Sequence, residues 1–135
     1  MRMSMARAVV PEMNIWLVIA GINGALAVAA GAFGAHGLQG RLDAHALQVF
    51  ETGARYHMYH ALAIGLAAYA IRGASAGAAQ AAAVFFLAGI VLFSGSLYLL
   101  ALTGVTKLGI VTPFGGLAFI AGWVALAYAG WKFSL

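Results

Sequence analysis

The sequence predicts an all-α fold embedded in a membrane: a four-helix bundle with an amphipathic interfacial helix between its first and second spans. Three observations carry this reading. Residues 14–35, 78–102 and 108–129 hold no charged side chain at all. A hydrocarbon core of roughly 30 Å takes roughly 20 helical residues, so each run is long enough to cross it. The composition agrees, with 64% hydrophobic and 7% charged residues and a mean hydropathy of +0.98, where a soluble domain carries about a quarter charged residues. A fourth apolar run, residues 56–71, is shorter and opens with two histidines.

With 135 residues, four spans leave only short connections, so one transmembrane domain over residues 13–132 accounts for the chain and no separate soluble catalytic domain fits. Residues 1–12 lack periodicity and are expected to form a flexible cytoplasmic tail. Span 1, about 14–35, is longer than the roughly 7 to 15 residues of a signal-peptide core, so it is read as retained. It is rich in small residues: Gly21, Ala25 and Ala29, then Ala27, Gly31 and Ala35, recur in steps of four, with Gly24 beside them. Where lipid removes the hydrophobic drive between helices, such stripes let backbones approach closely. Packing inside one protomer is the expected use, with spare faces left for a homo-oligomer.

The interfacial helix is expected at about 41–53. There Leu42, Ala46, Val49 and Phe50 recur near helical spacing while Arg41, Asp43, Gln48 and Glu51 fall elsewhere. It either bends near Gly53 into span 2, about 55–72, or runs straight into it. Span 3, about 78–102, carries Ser94, Ser96 and Tyr98, with Ser94 and Tyr98 four apart on one face. Span 4, about 108–131, opens with Thr112-Pro113-Phe114-Gly115-Gly116. Proline is tolerated in a first helical turn and threonine is a good N-cap, so a helix starting at Pro113 is preferred over a broken helix lining a cavity. Pro113, Gly115, Gly116 and Gly122 join Gly24 and Gly31 as expected helix-packing residues.

An even number of spans groups Arg2, Arg7, Arg72 and Lys132 on one side against Arg41, Arg55 and Lys107 on the other. The positive-inside rule then places both termini in the cytoplasm. The seven basic residues are dispersed over loops and termini, a topology signal with no patch for nucleic acid. The absence of cysteine excludes disulfides, thiolate metal sites, iron–sulfur clusters and a cysteine nucleophile.

The four histidines, His36, His45, His57 and His60, all lie in or next to the charged loop. Histidine can ligate a metal or relay a proton, and His36, His57 and His60 could meet around one ion with Glu51 near. The plainer reading is hydrogen bonding to carbonyls or headgroups at the interface. No carboxylate lies in mid-membrane, which argues against a proton-coupled transporter.

Four motifs in order, Gly31-Ala-Phe-Gly-Ala-His-Gly-Leu38, Ala54-Arg-Tyr-His-Met-Tyr-His-Ala-Leu-Ala63, Phe93-Ser-Gly-Ser-Leu-Tyr98 and Thr112-Pro-Phe-Gly-Gly116, resemble the small four-span membrane family called domain of unknown function 423, which includes transmembrane protein 256. The resemblance implies a multi-pass bacterial inner-membrane location and brings no activity, substrate or cofactor with it. Its motif positions here include His36, Tyr56, His60, Ser94, Ser96, Tyr98 and Pro113, and it implies a glutamine where this chain has His57. The functional expectation is a non-enzymatic protein without a cofactor, acting as a homo-oligomer or accessory subunit of a membrane complex. The alternatives are a ligand or metal site at the non-cytoplasmic face, with His36, Tyr56, His60, Ser94, Ser96 and Tyr98 as ligand contacts, or a small-solute channel.

Overall fold

The computed structural model describes residues 12–73 and 75–133. The expected tail, with Arg2 and Arg7, lies outside them except for Glu12. Among the described residues every regular element is helical. Helix α1 (Ile15–Ala32) begins where the Asn14 side chain accepts the backbone N–H of Leu17 at 3.2 Å, the N-cap geometry asparagine favours. It passes into a π-helical turn, Phe33–Gly37. Helix α2 (Ala44–Ala70) is capped by Asp43, whose carboxylate accepts the N–H of Ala46 at 2.8 Å. Helix α3 (Ala76–Gly89), a second π turn (Ile90–Ser94) and α4 (Gly95–Thr103) form one continuous run that stops at Gly104 in the left-handed region, φ 70°, a conformation glycine adopts without cost. A 3₁₀ turn (Thr106–Ile110) then leads into α5 (Thr112–Trp131).

Three of these runs, Ile15–Gly37, Ala76–Thr103 and Thr106–Trp131, are long and apolar enough to cross a membrane. The outward side chains agree, since Leu17, Leu26, Val91, Leu117, Ile120 and Val124 are all exposed, an apolar coat that lipid satisfies and water would not. The 27 residues of α2 are more polar, and they cover most of the two stretches expected as an interfacial helix, 41–53, and a second span, 55–72. The two are one unbroken helix, the straight alternative. Gly53 is not a bend: a Cβ there would stand 3.0 Å from the Tyr98 ring, so the glycine is the slot that lets α4 lie against α2.

Helix α2 is the centre, packed against α1, α3 and α4, while α3 pairs with α5. Close approach is made by alanine: Ala63, Ala67, Ala79, Ala82 and Ala83 are wholly buried, with Ile64 and Phe86 the large side chains enclosed among them. At the end of the molecule near the π turns, Leu38, Phe50 and Ala101 form a second cluster.

The small-residue stripes divide in two. On α5, Gly122 lies against the ring of Phe86, 2.7 Å from where a Cβ would be, and Gly115 lies against the backbone of Phe93. Gly116 makes ordinary contact with Phe93, and Pro113 occupies the first turn as expected. On α1 the glycines divide. Gly21 faces outward with Ala25, Ala29 and Ala32, whereas Gly24 and Gly31 are half-buried beside Ala20, Asn23 and Ala27 on the side turned to α2; at none of the three does a Cβ position have a neighbour within 4 Å.

Candidate functional site

Two side-chain systems occupy the half of the molecule where α2, α4 and α5 meet the π turns, and both are centred on histidines of α2. The first is a polar chain through three helices. Asn23 on α1 donates from Nδ2 to the carbonyl of Ile19 at 2.9 Å, which turns its Oδ1 toward α2. There His57 Nε2 lies 3.1 Å from Asn23 Oδ1, and His57 Nδ1 lies 3.1 Å from the hydroxyl of Tyr98 on α4. With His57 neutral, Nε2–H donates to the asparagine oxygen, which can only accept, and the Tyr98 hydroxyl donates to Nδ1. Every donor thus points the same way, from Tyr98 through His57 and Asn23 to Ile19.

The second system holds His60, one turn further along α2. Its Nδ1–H donates to the carbonyl of Tyr56 at 2.7 Å, and its Nε2 accepts the indole N–H of Trp123 from α5 at 3.1 Å. The ring stacks flat on Phe119, with centroids 3.4 Å apart, and meets Phe86 and Trp123 at its sides. Tyr56 continues the aromatic wall against Phe93 at 4.8 Å. Between α2 and α5 this wall lines a laterally open groove of about 750 Å³, with Tyr56, Tyr59 and His60 on one side and Leu117, Ile120 and Trp123 on the other.

The expected site residues are therefore separated rather than joined. Tyr56 and His60 line the groove, whereas Tyr98 belongs to the polar chain. Ser96 donates to the carbonyl of Phe93 at 2.9 Å and shares a 2.6 Å hydrogen bond with Thr112. Thr112 thus ties α4 to α5 and is not the N-cap of α5, a position Val111 fills without a side-chain bond. Ser94 is wholly buried in the π turn, and its hydroxyl has no partner. His36 is exposed on the other π turn, and His45 is exposed on the first turn of α2.

A metal site built from His36, His57 and His60 does not form. Among the described residues no group of three or more His, Asp or Glu side chains is placed to hold an ion. The reason is rotational. Three residues turn a helix by about 300°, so His57 and His60 point about 60° apart, one toward α1 and α4 and the other toward α5. Both nitrogens of each ring are already taken by protein groups.

Asn23 and Trp123 are the partners that sequence reasoning did not assign to a site. A signal for Trp123 was present. It lies eight residues before Trp131, about 12 Å along the helix, too deep for an interfacial belt, and a buried indole N–H needs an acceptor.

The chain matches the family described as protein of unknown function (DUF423) over residues 30–116, more than half its length. It is 46% identical over 122 residues to UPF0382 membrane protein YwdK of Bacillus subtilis, an alignment covering 90% of this chain and 99% of the relative. It is 44% identical to UPF0382 membrane protein SAB0533 of Staphylococcus aureus, with the same coverage of both chains. No solved structure matches it. The four motifs all lie within the matched region, and they supply the first π turn, the end of the second, His60 with its Tyr56 carbonyl, and the start of α5: this chain is a membrane protein and belongs to the DUF423 family.

Proposed function

We propose that the chain is a non-enzymatic, four-span protein of the bacterial inner membrane, with both termini in the cytoplasm, that works by assembling with further copies of itself through the outward face of α1. The observation that carries this is the empty space beside Gly21, which lies on that exposed face. Glycine inside a helix costs about 1 kcal/mol relative to alanine, and at Gly89, Gly115 and Gly122 an aromatic residue of the same protomer occupies the gap. At Gly21 nothing in the protomer does. With Ala25, Ala29 and Ala32 it makes a smooth surface on which a second helix can lie closely. The buried polar groups of the bundle are largely tied to one another, which leaves little for chemistry on a substrate.

The cysteine-free chain offers a clean test. A single Ala25→Cys variant, oxidised in native membranes, is expected to give a disulfide dimer, and a Leu117→Cys variant on α5 is not. Equal cross-linking of both, together with a monomeric mass in lipid nanodiscs, would overturn the proposal.

One observation favours a second reading, an apolar ligand held between α2 and α5. The groove concentrates five aromatic residues, Tyr56, Tyr59, Phe93, Phe119 and Trp123, around a ring of His60 whose polar atoms are internally satisfied. In a Trp16→Phe, Trp131→Phe background, Trp123 alone reports on it. Saturable quenching by a brominated-chain amphiphile supports this reading, and quenching that rises linearly with its mole fraction refutes it.

A further inference from the structure

A second cavity, of about 530 Å³, lies where the start of α2 meets the end of α4, apart from both histidine systems. Its polar lining is Arg41, Asp43, His45 and Thr106; its apolar walls include Leu42, Val49 and Leu100. We propose that this cavity binds a phospholipid whose zwitterionic headgroup carries a primary amine, with the phosphate on Arg41, the ammonium on Asp43 and the start of an acyl chain along Leu42, Val49 and Leu100.

The argument is one of complementarity. The chain has only three acidic residues, and one of them stands in this cavity two positions from an arginine. The Asp43 carboxylate uses a single hydrogen bond to cap α2, and a carboxylate has about four lone-pair sites, so capping leaves it able to accept N⁺–H donors. Arg41 offers the planar fork that matches a phosphate. A free anion would meet the Asp43 charge and leave the apolar walls unused, and a hydrocarbon chain alone would leave both charges unmet. An amphiphile with a positive and a negative group at one end satisfies all three features. The cavity sits where the apolar run of α3 and α4 ends, and the end of a span is where headgroups are met. A primary ammonium has three N–H donors for Asp43, whereas a quaternary choline has none, so the site distinguishes the two by hydrogen bonding.

The full chain in detergent, examined by native mass spectrometry with phosphatidylethanolamine, phosphatidylcholine and phosphatidylglycerol of matched acyl chains, tests this. The ethanolamine lipid is expected to bind about tenfold more tightly than either of the others, the scale of one charge-assisted hydrogen-bonded pair. Asp43→Asn keeps a good N-cap residue, and an unchanged helical circular dichroism spectrum checks that the fold survives. It is expected to erase the preference for ethanolamine over choline. Arg41→Gln is expected to weaken all three lipids about tenfold. Equal binding of the ethanolamine and choline lipids to the unaltered chain, or an unchanged preference in Asp43→Asn, overturns the proposal. Deacylated glycerophosphoethanolamine, added as competitor, is expected to leave the lipid bound. Displacement at equal concentration would make the ligand a soluble phosphate ester and overturn the assignment to lipid.

Discussion

Helices α1 and α5 carry the same sequence device and use it in opposite ways. Both are apolar and both are striped with glycine and alanine at steps of three and four. On α5 the stripe turns inward, where Gly115 and Gly122 receive Phe93 and Phe86, and Gly89 of α3 receives Phe119 in return. On α1 the outer stripe of Gly21, Ala25, Ala29 and Ala32 turns to open space, and the helix is held to α2 by other means: Ala20 and Ala27 buried, the Asn14 amide donating to the carbonyl of Ala68 at 3.4 Å, and the bond between His57 and Asn23. A small-residue stripe therefore fixes how closely a helix can be approached. The partner is decided by which side of the helix carries the polar anchors.

The inward stripe gives the largest expected effect. Gly115→Ala sets a Cβ 2.7 Å from the Cα of Phe93 and closer still to its backbone nitrogen, so no rotation of a side chain relieves the clash. Overpacking of this kind costs about 3 kcal/mol or more, a large part of a domain's stability. Thermal unfolding in detergent should show a steep fall in melting temperature or no folded protein. A Gly115→Ala variant that melts like the parent would remove the inward half of the comparison. Gly122→Ala should also destabilise, since the ring it meets belongs to the fully buried Phe86, but less, because a side chain yields more readily than backbone.

Next in size is the polar anchor of α1. Tyr98→Phe removes one hydrogen bond and leaves His57 Nδ1 without its donor; interhelical bonds in membranes contribute about 0.6 kcal/mol on average and up to about 1.7. His57→Leu breaks the chain on both sides and strands Asn23 Oδ1, so a loss of about 1 to 3 kcal/mol is expected. His57→Gln is the informative contrast. A carboxamide also accepts at one end and donates at the other, so it can take the Tyr98 hydroxyl and give to Asn23, and it is expected to keep most of the stability that leucine loses. If glutamine and leucine prove equally damaging by thermal melting, His57 packs rather than relays the hydrogen bonds.

The parts of this fold that lipid dictates were legible in the sequence. The apolar runs at 14–35, 78–102 and 108–131 reappear as helical runs within a few residues, because the thickness to be crossed sets their length. Asn14, the first residue of the first run, caps α1, a role that sequence reasoning did not assign to it. What was not legible depends on rotation about the helix axis and on neighbours far along the chain. His57 and His60 share a face by spacing, yet 60° is enough to send one to Asn23 and the other to Trp123. Thr112 precedes a proline as a cap would, yet its hydroxyl is 2.6 Å from Ser96, sixteen residues earlier. Gly53 reads as a hinge and is a slot for Tyr98. The π turn at Phe33–Gly37 lies within the first motif and that at Ile90–Ser94 runs into the third, and no propensity announces a wide turn.

The smallest expected effect on the protomer is also the one that tests the outward stripe. Gly21→Leu adds a side chain on the exposed face of α1, where nothing lies within 4 Å of a Cβ position, and it replaces a poor helix former with one of the better ones. The monomer should melt within about 0.5 kcal/mol of the parent or slightly above it. If α1 is where copies meet, the same substitution wedges two backbones apart, and the cross-link through Ala25→Cys should disappear while the fold is untouched. The contrast with Gly115→Ala separates the two roles of glycine in one experiment, because the inward change should lower the melting temperature and the outward change should lower only the association. A Gly21→Leu chain that loses stability as Gly115→Ala does would mean that the outer stripe of α1 is packed inside the protomer after all.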